Sequence, residues 1–403
     1  ADMTDEVGKL VLDDNRAQTL ALAIARRQAL PMVNVHSRYL NLLEAEGWLN
    51  RALEFLPTDR QIAERQSGGV GLTTPEFAVL LAYTKTTNVA EMVGSDLPDD
   101  PYLQPDLVRY FPQRLQRDFL DQILGHRLRR EIVATQVANQ LVNLSGMSFD
   151  HRLSEETGLS VVETTRAWLA ARDIFGLVDL WDQVEALTGS VKLDVQIDLF
   201  LELRSMAERS TLWLLRHRKL PLDIGAAVES YRGGMKSLVE LEGSLRGRMR
   251  DQAFADEASR LAAGVPERLA QRSVQWRLLH TCFDMIDLAG RTGRSLRDVA
   301  ATYWHVFDVL DLTWAWDAVG RLPRSTRWQT QARSALRDDL IGALADLTED
   351  ALTAGSVPDW QAANDRMINR TMAMFTELRR VDAHDVTTLS VAVRQLRNLA
   401  LLT

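Results

Sequence analysis

The sequence predicts an all-α protein of long helices packed in one or more bundles, and three observations carry that expectation. Nearly every segment repeats its apolar residues every three or four positions, the period of one helix face. Alternation of apolar and polar residues, the mark of a half-buried strand, is scarce. Capping residues and prolines stand where the periodic segments begin, and glycines where they end. At 403 residues the chain exceeds the roughly 250–300 residues at which single cores stop growing, so two lobes are expected.

The elements follow in order. Thr4-Asp5-Glu6 reads as a cap with acids in the first turn, leading through Val7, Leu10 and Val11 to Ile24. Pro31 opens a second helix that Gly47 closes, and residues 48–66 read as two short helices broken at Pro57-Thr58-Asp59. Thr74-Pro75-Glu76 supplies a cap, a first-turn proline and a favourable charge for a helix over 75–93. Residues 94–105 hold three prolines and read as a rigid loop. A long helix is expected from 126 to 145, stopped by Gly146, and Ser160 with Glu163 has capping-box spacing for the next. Leu199, Leu203, Met206 and Trp213 make one stripe on a helix over 193–218, which stops before Pro221. Residues 223–263 read as helical with an interruption near Gly233-Gly234. Further helices are expected at 266–289, 295–321, 326–354, 358–381 and 385–402. In the last of these Val386, Leu389, Val393, Leu396 and Ala400 form a short coiled-coil-like seam.

Composition narrows the function classes. With 46 % hydrophobic and 25 % charged residues the chain has the make-up of a soluble globular protein. A net charge of −8 argues against a nucleic-acid partner, which wants a basic field. No run approaches the roughly 20 apolar residues of a membrane span. The one cysteine, Cys282, excludes an internal disulfide and a thiolate metal cage, in keeping with a cytoplasmic location.

Each motif that could carry chemistry has a plainer competing explanation. Gly68-Gly69-Val70-Gly71 precedes a helix, as a phosphate cradle would, but a helix rather than a strand leads into it and Glu76 sits where the anion would. An interhelix loop is expected. Lys236, after Gly233-Gly234, could serve as a base if burial lowered its pKa, but it runs into the amphipathic Ser237-Leu238-Val239-Glu240-Leu241 and reads as a helix residue. His36, His126, His151, His217, His280, His305 and His384 are too far apart for His-Glu-x-x-His, and none has a glutamate three positions before it, so Glu-x-x-His is absent too. The pairs Asp13-Asp14, Asp99-Asp100 and Asp338-Asp339 lack a further acid for a magnesium site. Cys282, among Leu279, Phe283 and Ile286, reads as a buried apolar residue. His126-Arg127-Leu128-Arg129-Arg130-Glu131 could clamp a carboxylate, but Leu124, Leu128 and Ile132 form a stripe and Arg127 can pair with Glu131, so structural ion pairs are expected. Tyr303, Trp304, Phe307, Trp314, Trp316 and Trp328 read as core aromatics, with a minority serving as interface anchors. No catalytic, cofactor-binding or metal residue is assigned.

One stretch carries more. Gly71-Leu72-Thr73-Thr74-Pro75-Glu76-Phe77-Ala78-Val79-Leu80-Leu81-Ala82-Tyr83 is followed by Ser95-Asp96-Leu97-Pro98-Asp99-Asp100-Pro101-Tyr102, Tyr110-Phe111-Pro112 and His126-Arg127-Leu128-Arg129-Arg130-Glu131-Ile132. Upstream stand Met3-Thr4-Asp5-Glu6-Val7, Leu10-Val11-Leu12, Asp14-Asn15, Gln18 and Arg51-Ala52-Leu53-Glu54-Phe55-Leu56-Pro57. Downstream stand Glu155-Glu156-Thr157-Gly158 and Trp213-Leu214-Leu215-Arg216. In this order they resemble the C-terminal region of the large-subunit class of bacterial NAD-dependent glutamate dehydrogenases. The departures are Thr86-Thr87-Asn88, Gly94 and Leu144-Ser145, and beyond Pro221 the likeness becomes general.

The resemblance implies a parent enzyme that oxidises L-glutamate to 2-oxoglutarate and ammonium with NAD as hydride acceptor, its dinucleotide fold and catalytic lysines lying upstream of this pattern. The expectation is that residues 1–70 are the last helices of an α/β catalytic module with its connection. Residues 71–403 would then be a C-terminal helical domain, with sub-lobes 71–220 and 221–403. The chain alone would neither bind NAD nor turn over glutamate. Its role would be structural, regulatory or in oligomerisation, with the upstream catalytic domain as partner and a homo-oligomer as the assembly. Leu10, Leu20, Ile24 and Val35 would be under-buried. The alternative is an independent helical module that binds another protein.

Overall fold

The computed structural model describes residues 2–239, 244–380 and 384–402. It is 79 % helical, with no sheet among the described residues, so the all-α expectation holds. The chain divides into two compact units: Ala1–Ala186 with Gln196–Val228, and Leu187–Val195 with Glu229–Thr403.

Helices α1 (Asp2–Arg27), α2 (Val33–Ala45), α3 (Asp59–Ser67) and α4 (Thr74–Val93) open the first unit. Thr4 lies inside α1 rather than capping it, and Pro31 falls in the turn before α2. The helix expected over 48–56 is a turn. The Asn50 side chain there accepts the amides of Ala52 at 3.0 Å and Leu53 at 3.2 Å, so the local hydrogen bonds compete with a helical ladder. Thr58 and Gln61 cap α3 reciprocally, and Thr73 with Glu76 caps α4 one residue earlier than the sequence suggested. Thr58→Ala should cost about 1 kcal/mol and lower the first unit's melting temperature by roughly 2–4 °C in calorimetry.

The prolines of 94–105 do not leave a plain loop. They build two 3₁₀ turns, Leu97–Asp99 and Pro101–Leu103, that lead into α5 (Gln104–Arg109). Then come α6 (Gln113–Asp118), α7 (Leu120–Leu124), α8 (Arg129–Ser145), α9 (Phe149–Thr157), α10 (Val161–Phe175), α11 (Leu177–Glu185) and α12 (Leu193–His217). Residues 126–128 form a turn ahead of α8, and Ser160 with Glu163 makes the expected capping box. The stripe Leu199, Leu203, Met206 and Trp213 is buried. Arg204 of α12, itself buried, donates to the carbonyls of Leu144 and Asn143, both at 3.0 Å, and so satisfies the last turn of α8.

One core joins Ala21, Leu40, Leu56 and Ile62 to Phe77, Leu80 and Leu81 of α4 and Val142 of α8. Ile24, expected to be under-buried, is buried instead, since α4 and α8 pack on α1, and Val35 of α2, expected likewise, is buried as well. Leu10 is exposed as expected and Leu20 is half-buried.

The second unit continues through α13 (Ile224–Val239), which begins in the first, to α14 (Gly247–Ala262), α15 (Glu267–Ser273), α16 (Cys282–Thr292), α17 (Leu296–Val309), α18 (Thr313–Arg321), α19 (Arg327–Thr353), α20 (Val357–Arg379) and α21 (Val386–Leu402). Gly233-Gly234 does not interrupt α13. A Cβ on Gly234 would stand 2.9 Å from Ile286 Cγ1, so the glycine serves a close helix contact. Glu240 and Leu241, expected to prolong this helix, lie outside the described residues. The segment 266–289 is split where the chain turns to bury Trp276 and Leu278. The segment 295–321 is split at Asp311, whose φ is +44° and whose carboxylate and carbonyl are both held by Arg379. α21 packs on α19 and α20 through Leu389, Val393 and Leu396, with Val386 and Ala400 half-buried at the seam's ends.

Candidate functional site

Polar density concentrates in the first unit, where Ser95–Tyr102 meets the start of α8. The prolines at 98 and 101 fix φ and turn the chain tightly, which sets Asp96, Asp99 and Asp100 close together. Asp100 accepts the Tyr102 amide at 3.0 Å and Arg166 at 2.8 Å. Arg166 also meets Asp96 at 2.9 Å, and that hydrogen-bonded pairing holds the Asp96 carboxyl below its ordinary pKa. Asp99 receives Arg129 at 3.2 Å on one oxygen and Arg130 on the other. Arg130 reaches back to the carbonyls of Val93 at 2.8 Å and Ser95 at 2.6 Å, groups left open at the end of α4. Beneath this layer, buried Arg172 pairs with Asp106 at 3.1 Å and Asp173 at 2.8 Å and donates to Gln140 at 2.6 Å. Burial alone would lower the pKa of Arg172, but Asp173 and Asp106 outweigh it and raise it.

A cleft of about 340 Å³ opens in this lattice, within the size range of small-ligand sites. Its floor includes Leu103, Leu107 and Val133, and its polar lining includes Asp99, Gln104 and Arg129.

A second polar cluster lies inside the same unit, on α2, α4 and α9. Asp150 accepts Asn88 Nδ2 at 2.6 Å on one oxygen, while the other is buried without a hydrogen bond. Burial pushes Asp150 up to about 7, with Asn88 opposing. His151 stacks on Tyr39 at 4.9 Å and lies 3.6 Å from Glu155. Burial lowers His151 to about 4 against the pull of Glu155, and lowers His36 to about 3, with Arg152 and His151 adding to the effect. Arg38 holds Glu155 with two bonds, at 2.8 and 3.0 Å, and Arg152 pairs with Glu208 at 2.5 Å.

The structure therefore brings His36 and His151 into one neighbourhood although 115 positions separate them in number. The remaining histidines are dispersed. His217 stacks on Trp213 at 4.8 Å, His280 lies 5.7 Å from Trp316, and His126 accepts the Leu128 amide at 3.1 Å. His305 is half-buried, with burial lowering its pKa, and His384 stands 3.0 Å from the Leu378 carbonyl. No group of three or more histidine, cysteine or acidic side chains suited to a metal ion occurs among the described residues.

The glycine run 68–71 is an interhelix connection. Gly68 ends α3, Gly69 has φ +75°, and a Cβ on Gly71 would fall 2.3 Å from the Ala29 carbonyl oxygen. Glu76, at the start of α4, is taken by Arg65 at 2.8 Å. Lys236 is an exposed helix residue. The lysine with the depressed pKa is Lys85 on α4, whose Nζ is buried without a hydrogen bond. Burial lowers its pKa to about 8, and Asp14 opposes the shift. Cys282 is buried, its thiol pushed up to about 12 by burial and then by Asp284. In the 126–131 motif the paired arginines are Arg129 and Arg130, with Asp99, and not Arg127 with Glu131, because Arg127 precedes the helix that the expected pairing needed. Asp339 pairs with Arg397 at 3.1 Å. Tyr303, Trp304, Phe307 and Trp314 are core residues, Trp316 is half-buried, and Trp328 is 72 % exposed. The sequence reading missed Asn88, Asp150 and the cleft. Asn88 had a usable signal: with Thr84 it occupies the apolar stripe of Phe77, Leu80, Leu81 and Met92, where a polar residue needs a buried partner.

Residues 69–398 match the family model described as glutamate dehydrogenase, C-terminal. Three curated relatives are each named NAD-specific glutamate dehydrogenase. That of Pseudomonas aeruginosa is 38 % identical over 99 % of this chain and 25 % of its own length. That of Mycobacterium tuberculosis is 35 % identical over 98 % and 25 %, and that of Halomonas elongata 36 % over 99 % and 25 %. The chain thus spans a quarter of the length of these relatives.

Proposed function

Because the chain belongs to the glutamate dehydrogenase C-terminal family, we propose that it is the C-terminal helical segment of an NAD-dependent glutamate dehydrogenase. The whole enzyme converts L-glutamate, NAD and water to 2-oxoglutarate, ammonium and NADH. NAD and the reacting groups belong to the part of the enzyme upstream of this segment, which acts by packing against that part within a cytoplasmic homo-oligomer. The segment itself is structural or regulatory and carries no catalytic residue. Among the described residues no helix is long and apolar enough to cross a membrane.

The observation that carries this reading is where apolar surface stays uncovered. Among the described residues, more than half of the large apolar side chains left exposed lie between Met3 and Val70, although that stretch is under a fifth of the chain. Met3, Val7, Leu10 and Val11 form one stripe on α1, continuous with the buried half of the same helix. Leu53 is 74 % and Phe55 91 % exposed. Phe55 holds φ at +54°, an uncommon conformation for a bulky residue. Its turn is fixed from below: buried Arg51 donates to the Pro57 carbonyl at 3.2 Å and Asp59 at 3.0 Å, and Tyr83 donates to Glu54 at 2.7 Å. A braced turn that presents two apolar side chains outward has the form of an interface anchor.

Replacing Leu53 and Phe55 together by aspartate should lower the full-length enzyme's turnover about tenfold, equivalent to about 1.4 kcal/mol, and loosen its assembly. The fold of this chain should survive, since both side chains are exposed. Unchanged turnover and unchanged oligomeric state in sedimentation would refute the packing role.

A further inference from the structure

We propose that the cleft over Leu103, Leu107 and Val133 binds a small monocarboxylate with a compact apolar tail. Leu103, Leu107 and Val133 line the cleft and give its floor an apolar side-chain face. The lining decides the head group. Both oxygens of Asp99 are engaged, one by Arg129 and one by Arg130, and both of Asp100 are engaged, by the Tyr102 amide and Arg166. Each of these oxygens already holds a donor, so the aspartates draw an ammonium group less strongly than free carboxylates would. Donors remain. Arg129 directs one N–H at Asp99 and keeps about half of its side chain exposed, while the exposed Gln104 side chain makes no hydrogen bond among the described residues. A guanidinium beside a carboxamide, above an apolar floor, suits a carboxylate that accepts from both and buries its tail. Repulsion of such a guest by the aspartates is offset, because Asp99 meets both Arg129 and Arg130 and Asp100 meets Arg166. The walls are also held in place before binding, since Arg130 fastens the turn to the end of α4 and Arg166 fastens it to α10.

The probe is 4-methylpentanoate, titrated into the 403-residue chain by calorimetry and followed by ligand-detected NMR. Saturable binding with a Kd on the order of 1 mM is expected. Arg129→Gln should weaken it at least about tenfold while the melting temperature holds, because Asp99 keeps Arg130. Gln104→Leu, at an exposed position, should weaken it severalfold. Arg114→Gln, on α6 beside Asp118, should leave it unchanged. 4-Methylpentylamine, with the same tail and the opposite charge, should not compete. Absence of saturation by roughly 50 mM, equal binding by the amine, or full affinity in both Arg129→Gln and Gln104→Leu would each overturn the assignment.

Discussion

Gly71→Ala should destabilise the first unit by about 3–5 kcal/mol, among the largest losses a single methyl can cause. The new Cβ would stand 2.3 Å from the carbonyl oxygen of Ala29 and 2.4 Å from its carbonyl carbon. Both are backbone atoms in the turn between α1 and α2, so relief requires moving a helix entry and not a side chain. Leu72 beside it is buried in the core that α1, α2 and α4 share, which blocks retreat on the other side. Gly68→Ala is the control. Its Cβ would come no nearer than 3.4 Å to any atom, at the Arg65 carbonyl oxygen, and its φ is ordinary, so the change should stay within about 0.5 kcal/mol. Urea unfolding of the two variants measures the difference, and a Gly71→Ala loss under about 1 kcal/mol would show that the turn yields.

That contrast shows what a sequence can and cannot reveal. The glycine run announced a connection between helices, and the capping-box spacing of Ser160 with Glu163 announced a start that the structure keeps. These are local signals, read within one turn of chain. Which glycine faces a backbone 42 positions away is a tertiary fact, as is the packing of Gly234 against Ile286. The same division runs through the candidate sites. The prolines around Asp99 and Asp100 were visible as a rigid turn, but the arginines that engage them come from α8 and α10. Asp150 gave no signal by itself, since only the burial of Asn88 above it makes a surface-type residue into an interior acid. Helices were overextended at Asp311 and at Trp276 because one arginine clasp and one buried indole override a continuous helical period.

Stability should fall as pH drops from about 6.5 toward 4, with Asp150 opposing the fall. His36 and His151 keep folded values near 3 and 4, below the unfolded 6.5. Between those values the unfolded chain binds protons that the folded chain refuses, so each histidine removes up to about 1.4 kcal/mol per pH unit as the solution is acidified. Asp150 has the opposite sign. Its folded value of about 7 lies above the unfolded 3.8, so it weakens the fold as pH rises through that window. Among these three groups, two protons against one leave a net slope of about 1.4 kcal/mol per pH unit between pH 4 and 6.

Asp150→Asn isolates the acid while keeping an acceptor for Asn88. The variant should exceed the parent chain in stability at pH 8 by up to about 4 kcal/mol, and the gain should vanish toward pH 4. Urea midpoints at pH 4.5, 6 and 8 test this. A variant equally less stable at all three would mean that Asp150 is held by geometry and not penalised by its charge.

Helix ends ordinarily fray ahead of everything else, and their amides exchange with solvent hydrogen through that local motion. At the end of α8 this route is closed. The carbonyls of Leu144 and Asn143 are held by a side chain about 60 positions further along, and Gly146 beyond them has φ +96°, with a would-be Cβ 3.2 Å from the same guanidinium. Unwinding that turn strands Arg204 with an unmet charge in a dry interior, so the motion is coupled to the undocking of α12. The amides of Leu144 and Ser145, at a terminus where rapid exchange is the rule, should instead exchange as slowly as the centre of α10, through one cooperative opening that links distant parts of the chain.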